Sequence, residues 1–122
     1  RMMLYSPDLT EKEKQHAREI IDRIPPYVMD LLYTEGATFV FTARSLVEAL
    51  PGYGRVNDGR GYPYYEYYAG LYRDHERRIL VTFHLAKLDK DARRPTVTGY
   101  HQLFDRERVI SHEIGHFIDD IL

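Results

Sequence analysis

The sequence predicts an α+β fold, and the main reason is the order of its local patterns. Two helical patterns come first, β-rich segments occupy the middle of the chain, and a long helical pattern ends it. Helices and strands that are segregated along the chain in this way are typical of α+β folds. The length of 122 residues fits one domain with a hydrophobic core of its own.

The first helix is predicted to begin after Thr10, because Thr10 and Glu13 have the spacing of a capping box. Apolar residues follow at helical spacing, and Pro25 and Pro26 end this helix. A second short helix then extends towards Gly36, a residue that commonly closes helices.

The middle of the chain reads as strands, turns and one more short helix. Residues 37–42 are β-branched and aromatic, which predicts a strand, and residues 43–50 have helical spacing. Residues 52–63 are rich in glycine and predict a long loop. Residues 70–84 predict a β-hairpin, whereas residues 87–95 are polar and predict an exposed connection.

The last helix is predicted to begin near Asp105, which we expect to cap it. Its apolar residues recur every three or four positions and predict one buried stripe. The residues of this stripe are Val109, Ile110, Ile114, Phe117, Ile118 and Ile121.

Composition limits the classes of function. A net charge of −2 and a pI of about 6.3 give no electrostatic reason to expect a nucleic-acid partner or an anionic membrane. No run approaches the roughly 20 apolar residues that a membrane span requires. The chain has no cysteine, so any metal must be held by histidine and carboxylate side chains.

The sequence His112-Glu113-Ile114-Gly115-His116 is the strongest functional signal. On a helix, His112 and His116 point from the same face and can bind one Zn²⁺ as neutral imidazoles. Glu113 is rotated by about 100° from His112, which suits a general base better than a ligand. Glu113 would take a proton from the attacking water and return it to the leaving amine.

Chance explains this pattern poorly, since the composition supplies roughly 0.02 matches in a chain of this length. The competing interpretation is a solvated helix face that carries two incidental histidines. Further along the same helix, Asp119 can accept the free ring N–H of a ligand histidine and fix its tautomer. The alternative for Asp119 is a solvated helix end.

The remaining histidines predict structural or surface roles. Among His16, His75, His84 and His101, His84 is the best candidate for a further ligand, because it ends a predicted strand. The tyrosine-rich stretch at residues 62–68 either forms a wall for a substrate or packs in the core with its hydroxyls in water, and we favour the second.

The motif and its surroundings resemble the catalytic domain of anthrax lethal factor and the small secreted Pro-Pro endopeptidases built on the same domain. The matching features stand in the same order along most of residues 10–122. They are Pro51-Gly52, Arg60-Gly61-Tyr62, Gly70-Leu71-Tyr72 and the motif helix up to Asp119-Asp120.

The resemblance implies a zincin-like zinc metalloendopeptidase, with His112 and His116 as ligands, Glu113 as base and no other cofactor. It also implies a secreted protein and a substrate peptide bound in extended form along a sheet edge, with residues 79–84 lining the cleft and pairing with that peptide. In that family the third ligand, a glutamate, and a catalytic tyrosine follow the motif at a distance that lies beyond Leu122. We therefore expect residues 1–122 to be the N-terminal part of one zincin-like domain. We expect this fragment alone to bind zinc weakly, to be inactive, to expose its apolar stripe, and either to associate with another chain or to aggregate.

Two other functions remain open. The chain could be a non-catalytic binding or scaffold domain that retains this fold, although a scaffold has no need of Glu113 between two ligands. It could also be a different zinc peptidase whose third ligand lies elsewhere.

Overall fold

Three α-helices and six β-strands form the described part of the protein in a computed structural model, which describes residues 2–50, 67–89, 91, 93 and 96–122. This result confirms the α+β class. The elements, in chain order, are β1 (Met3–Tyr5), α1 (Glu11–Asp22), α2 (Pro26–Thr34), β2 (Thr38–Thr42), β3 (Gly70–Arg73), β4 (Arg78–Thr82), β5 (His84–Asp89), β6 (Thr96–Gln102) and α3 (Arg106–Ile121).

A four-stranded mixed sheet has the order β1-β2-β4-β3. Strands β1, β2 and β4 run parallel, and β3 pairs with β4 in the antiparallel direction. The hairpin of β3 and β4 confirms the predicted one. The expectation that residues 79–84 pair with a substrate is wrong, because β4 is hydrogen-bonded to a neighbour on each side and β3 is the edge strand.

The predicted helix boundaries are confirmed for α1 and α2. The backbone N–H of Glu13 donates to Thr10 Oγ1 at 3.1 Å, and the N–H of Thr10 donates to Glu13 Oε1 at 3.0 Å, which completes the capping box. Pro26 occupies the first turn of α2, and Gly36 follows its end at a φ of +74°. Such a backbone angle is accessible to glycine without steric cost.

Residues 43–50 do not form the expected α-helix, since only a short 3₁₀ turn is present at Leu46–Ala49. Side chains compete here for the backbone donors that an α-helix leaves free. The Ser45 hydroxyl accepts from Val47 N–H at 3.1 Å, and the Glu48 carboxylate accepts from Ala43 N–H at 2.8 Å. These local bonds stabilise one tight turn, and Pro51 disfavours helical geometry at the residue before it.

The sequence patterns did not predict two of the strand pairings. Strand β1 is only three residues long and pairs with β2, far from it along the chain. Strands β5 and β6 form a two-stranded antiparallel sheet, so part of the polar segment 87–95 is paired rather than a simple connection. His84 begins β5 and does not end the preceding strand. The predicted loop at residues 52–63 lies outside the described residues.

The sheet buries apolar residues on both faces. The helices cover one face, where Phe39, Phe41, Ile79 and Val81 lie, and the 3₁₀ turn covers the other. From α3, Ile110, Ile114 and Phe117 are buried in the first of these clusters. The expectation of an exposed stripe is therefore wrong for these three residues, because α1 and the sheet already cover them, while Ile118 and Ile121 are half-buried.

Asp105 precedes α3 at the expected position, but its side chain makes no capping hydrogen bond. Within the described ranges, no helix combines the length and the apolar character needed to cross a membrane.

Candidate metal centre

Helix α3 presents two histidines to solvent from one face. His112 and His116 are both exposed, and their Nε2 atoms lie 3.1 Å apart. The two rings are nearly perpendicular, with an interplanar angle of 86° and centroids 4.7 Å apart. Positions four apart on a helix bring side chains together in this way, so the predicted convergence of the two imidazoles is confirmed.

His112, Glu113 and His116 form a group that could hold a metal ion, and we refer to these three residues as the metal group. One donor atom from each residue lies within 4.8 Å of the other two. Two nitrogens bound tetrahedrally to Zn²⁺ at 2.0–2.1 Å stand about 3.3 Å apart, close to the separation of the two Nε2 atoms. The donor types also suit zinc, which binds imidazole nitrogen and carboxylate oxygen.

Glu113 lies beside the two histidines and lines two open recesses of the surface. It is only 6% exposed and has no hydrogen-bond partner among the described residues. Burial raises the pKa of Glu113, and the positive charge of His112 and His116 opposes that rise. A largely buried carboxyl group beside two imidazoles is suited to proton transfer or to metal contact.

The edge strand approaches α3 closely at Gly70. A Cβ at this position would lie 2.6 Å from Val109 Cγ1 and 3.1 Å from Glu113 Cγ. Any larger residue would have to displace one of these side chains. Glycine therefore allows the backbone of β3 to lie directly beside the side chain of Glu113.

An open cleft of about 660 Å³ runs between β3 and α3. Its walls include His112, Glu113 and His116 on the helix side, and Tyr67 and Tyr68 opposite. These two tyrosines therefore line the same cleft as the metal group, and Tyr68 also packs against the apolar cluster on the other face of the sheet. Both interpretations of the tyrosine-rich stretch stay predictions. The rest of the tyrosine-rich stretch, residues 62–66, lies outside the described residues.

Asp119 lies in a second recess of about 530 Å³, which shares Glu113 and His116 with the first. Among the described residues, the Asp119 carboxylate has no hydrogen bond to either histidine, so its proposed role in fixing a tautomer stays a prediction. The neighbouring Asp120 has a clear partner, because its Oδ2 accepts a hydrogen bond of 2.6 Å from the hydroxyl of Tyr72.

The other histidines lie outside the metal group as far as the described residues extend. The Nδ1 atom of His84 donates to the Ala43 carbonyl at 2.9 Å, and Nδ1 of His16 accepts from Arg106 at 2.8 Å. His75 and His101 are exposed. His84 is thus tied to the backbone of another element, which fits a structural role.

Sequence reasoning missed two residues that shape the site, Gly70 and Tyr72. Both lie on β3 and contact α3, which is more than thirty positions away along the chain. The only sequence signal was the Gly-Leu-Tyr step, which was noted for its resemblance and not for its contacts.

Comparison with protein families, with curated proteins and with solved structures found no match for this chain. Any functional conclusion therefore depends on the site itself.

Proposed function

We propose that this chain carries the metal helix of a zinc-dependent endopeptidase of the zincin type, similar to the lethal factor-like domain. The observation that carries the proposal is the geometry of one helix face. His112 and His116 hold their Nε2 atoms 3.1 Å apart, and the buried carboxyl group of Glu113 lies next to them in an open cleft.

In this proposal His112 and His116 hold the zinc ion as neutral imidazoles. When bound, Zn²⁺ acts as a Lewis acid that activates water and polarises the carbonyl of the scissile peptide bond. Glu113 accepts the proton of the attacking water and then donates it to the leaving amine.

The substrate is proposed to bind as an extended peptide along β3. This strand is the edge of the sheet, and its residues Gly70 and Leu71 border the cleft. An edge strand offers backbone N–H and C=O groups to which a peptide can pair. A peptide in this position passes beside Glu113, which lies against Gly70.

The arrangement of the sheet supports the zincin-like interpretation. A parallel sheet with one antiparallel edge strand lies over the motif helix, and α3 contacts both β3 and β4. By resemblance, a third ligand and a catalytic tyrosine come from sequence after the motif, and the protein is secreted.

A second function follows from the position of the Glu113 carboxylate. Its donor atom lies within 4.8 Å of both histidine nitrogens, so it could serve as a third ligand. The centre would then have two histidines and one carboxylate from a single helix and would belong to a binding or scaffold domain. The enzyme is favoured because adjacent positions on a helix diverge by about 100°.

The test is a peptidase assay on the full-length protein. The protein is incubated with a mixture of peptides of known sequence, and the products are mapped by mass spectrometry. We expect cleavage that a chelator abolishes and that added Zn²⁺ restores. Absence of cleavage from the zinc-loaded protein, across a mixture of broad sequence coverage, would contradict the proposal.

A further inference from the structure

Alternate residues of β3 face α3, the helix that carries the metal group. Gly70 lies against Val109 and Glu113, and Tyr72 packs with Phe117, whereas Leu71 joins the apolar cluster on the opposite face of the sheet. The edge strand is therefore held to α3 at two places. One is beside the metal group and the other is nearer the end of the helix.

The second place combines packing with a strong hydrogen bond. The ring of Tyr72 lies edge-on to Phe117, with centroids 5.8 Å apart and an interplanar angle of 89°. Its hydroxyl donates to Asp120 Oδ2 at 2.6 Å. Hydrogen bonds to an ionised acceptor are shorter and stronger than neutral ones, and this distance is in their range.

We propose that Tyr72 and Asp120 are positioning residues, which fix the position of the edge strand β3 relative to α3. They thereby fix where a bound peptide meets the metal group. This inference rests on the proposed function, since it presumes a peptide that pairs with β3. Asp120 is separated from Glu113 by seven residues, or about 10 Å of helix. The Tyr72–Asp120 contact and the Gly70 contact therefore hold β3 to α3 at two separate points.

Without the Tyr72–Asp120 hydrogen bond, β3 keeps its pairing with β4 and its contact at Gly70. It loses the polar contact that fixes the Tyr72 end of the strand over α3. A small displacement of a bound substrate is enough to reduce catalysis, since about 1 Å of misplacement can cost on the order of a hundredfold in rate. The donor is available at ordinary pH, because burial and the neighbouring Asp120 raise the pKa of Tyr72 to about 12.

The test compares two zinc-binding probes on the full-length, zinc-loaded protein. Acetohydroxamate reaches only the metal, whereas a peptidyl hydroxamate reaches the metal and also pairs with the edge strand. We expect Tyr72→Phe, which keeps the ring on Phe117, to weaken the peptidyl hydroxamate about tenfold and to leave acetohydroxamate within about twofold. Asp120→Ala should act in the same way, and Asp120→Asn, which keeps a neutral acceptor oxygen, should lie between Asp120→Ala and the wild type.

The matched control is Tyr33→Phe, since Tyr33 lies on α2 and is 74% exposed. The double variant Tyr72→Phe with Asp120→Ala should bind no more weakly than either single variant, because both remove the same bond. Equal binding of the peptidyl hydroxamate by wild type and Tyr72→Phe would overturn the positioning role while leaving the metal site intact. A wild-type protein that binds neither probe would overturn the proposed function, and this inference with it.

Discussion

The backbone of Gly70 lies against the side chain of Glu113, so closely that a Cβ would come within 3.1 Å of Glu113 Cγ. Gly70 belongs to the edge strand β3, and Glu113 belongs to helix α3. In the proposed function, their contact determines how near an extended peptide on β3 can come to the Glu113 carboxyl group. The same contact makes the site sensitive to a single methyl group.

Gly70→Ala is therefore expected to destabilise the protein by about 1–3 kcal/mol, the usual cost of an overpacked contact. The new methyl group would meet Val109 Cγ1 at 2.6 Å. Chemical denaturation measures the change in the free energy of unfolding. The matched control is Gly99→Ala on β6, where a Cβ meets nothing within 4 Å.

The double variant Gly70→Ala with Val109→Ala tests the cause of that destabilisation. If the clash with Val109 is responsible, the two substitutions together should cost less than the sum of the single ones. Strict additivity would contradict this explanation.

The second prediction concerns Tyr72 at high pH. Its pKa in the folded protein is about 12, against 10.0 for the free side chain, so the folded state holds this proton more tightly than the unfolded state does. The stabilisation is fully present below pH 10 and is lost as the pH rises towards 12. The free energy of unfolding of the wild type should fall more steeply across this window than that of Tyr72→Phe. Parallel curves for the two proteins would contradict the shift.

The third prediction is that His112→Ala and His116→Ala each reduce bound zinc to background in the full-length protein, while the wild type binds about one equivalent. Each substitution removes one of two nitrogens that converge on one point. Metal analysis after dialysis measures the zinc content. The control is His75→Ala, because the His75 side chain is 97% exposed in the turn between β3 and β4 and should have no effect. Unchanged zinc in both site variants would refute the assignment of the ligands.

Much of the fold could be predicted from local signals. The capping box of Thr10 and Glu13 and the prolines after α1 mark helix boundaries through bonds that form within a few residues. The missed elements depend on distant pairing. Strand β1 is fixed by hydrogen bonds to β2, and the strands around residues 87–95 are paired through their backbones, which polar side chains do not reveal.

The metal group was predictable because its residues lie on one helix turn, so spacing alone brings His112 and His116 together. The surroundings of the group were not predictable. The contact of Tyr72 with Asp120 joins residues 48 positions apart, and the one of Gly70 with Glu113 joins a strand to a helix. Periodicity describes which face of an element is buried but does not tell which element covers it.

The most direct test of the whole account is Glu113→Gln in the full-length protein, with zinc content and peptide hydrolysis measured on the same sample. Glutamine keeps the size of the side chain and removes its capacity to accept and return a proton. We expect about one bound Zn²⁺ per chain, as in the wild type, together with loss of hydrolysis by at least about 10²-fold, the lower range for general acid–base catalysis. Hydrolysis close to the wild-type rate would contradict the role of Glu113 as base, and loss of the zinc would instead make Glu113 a ligand.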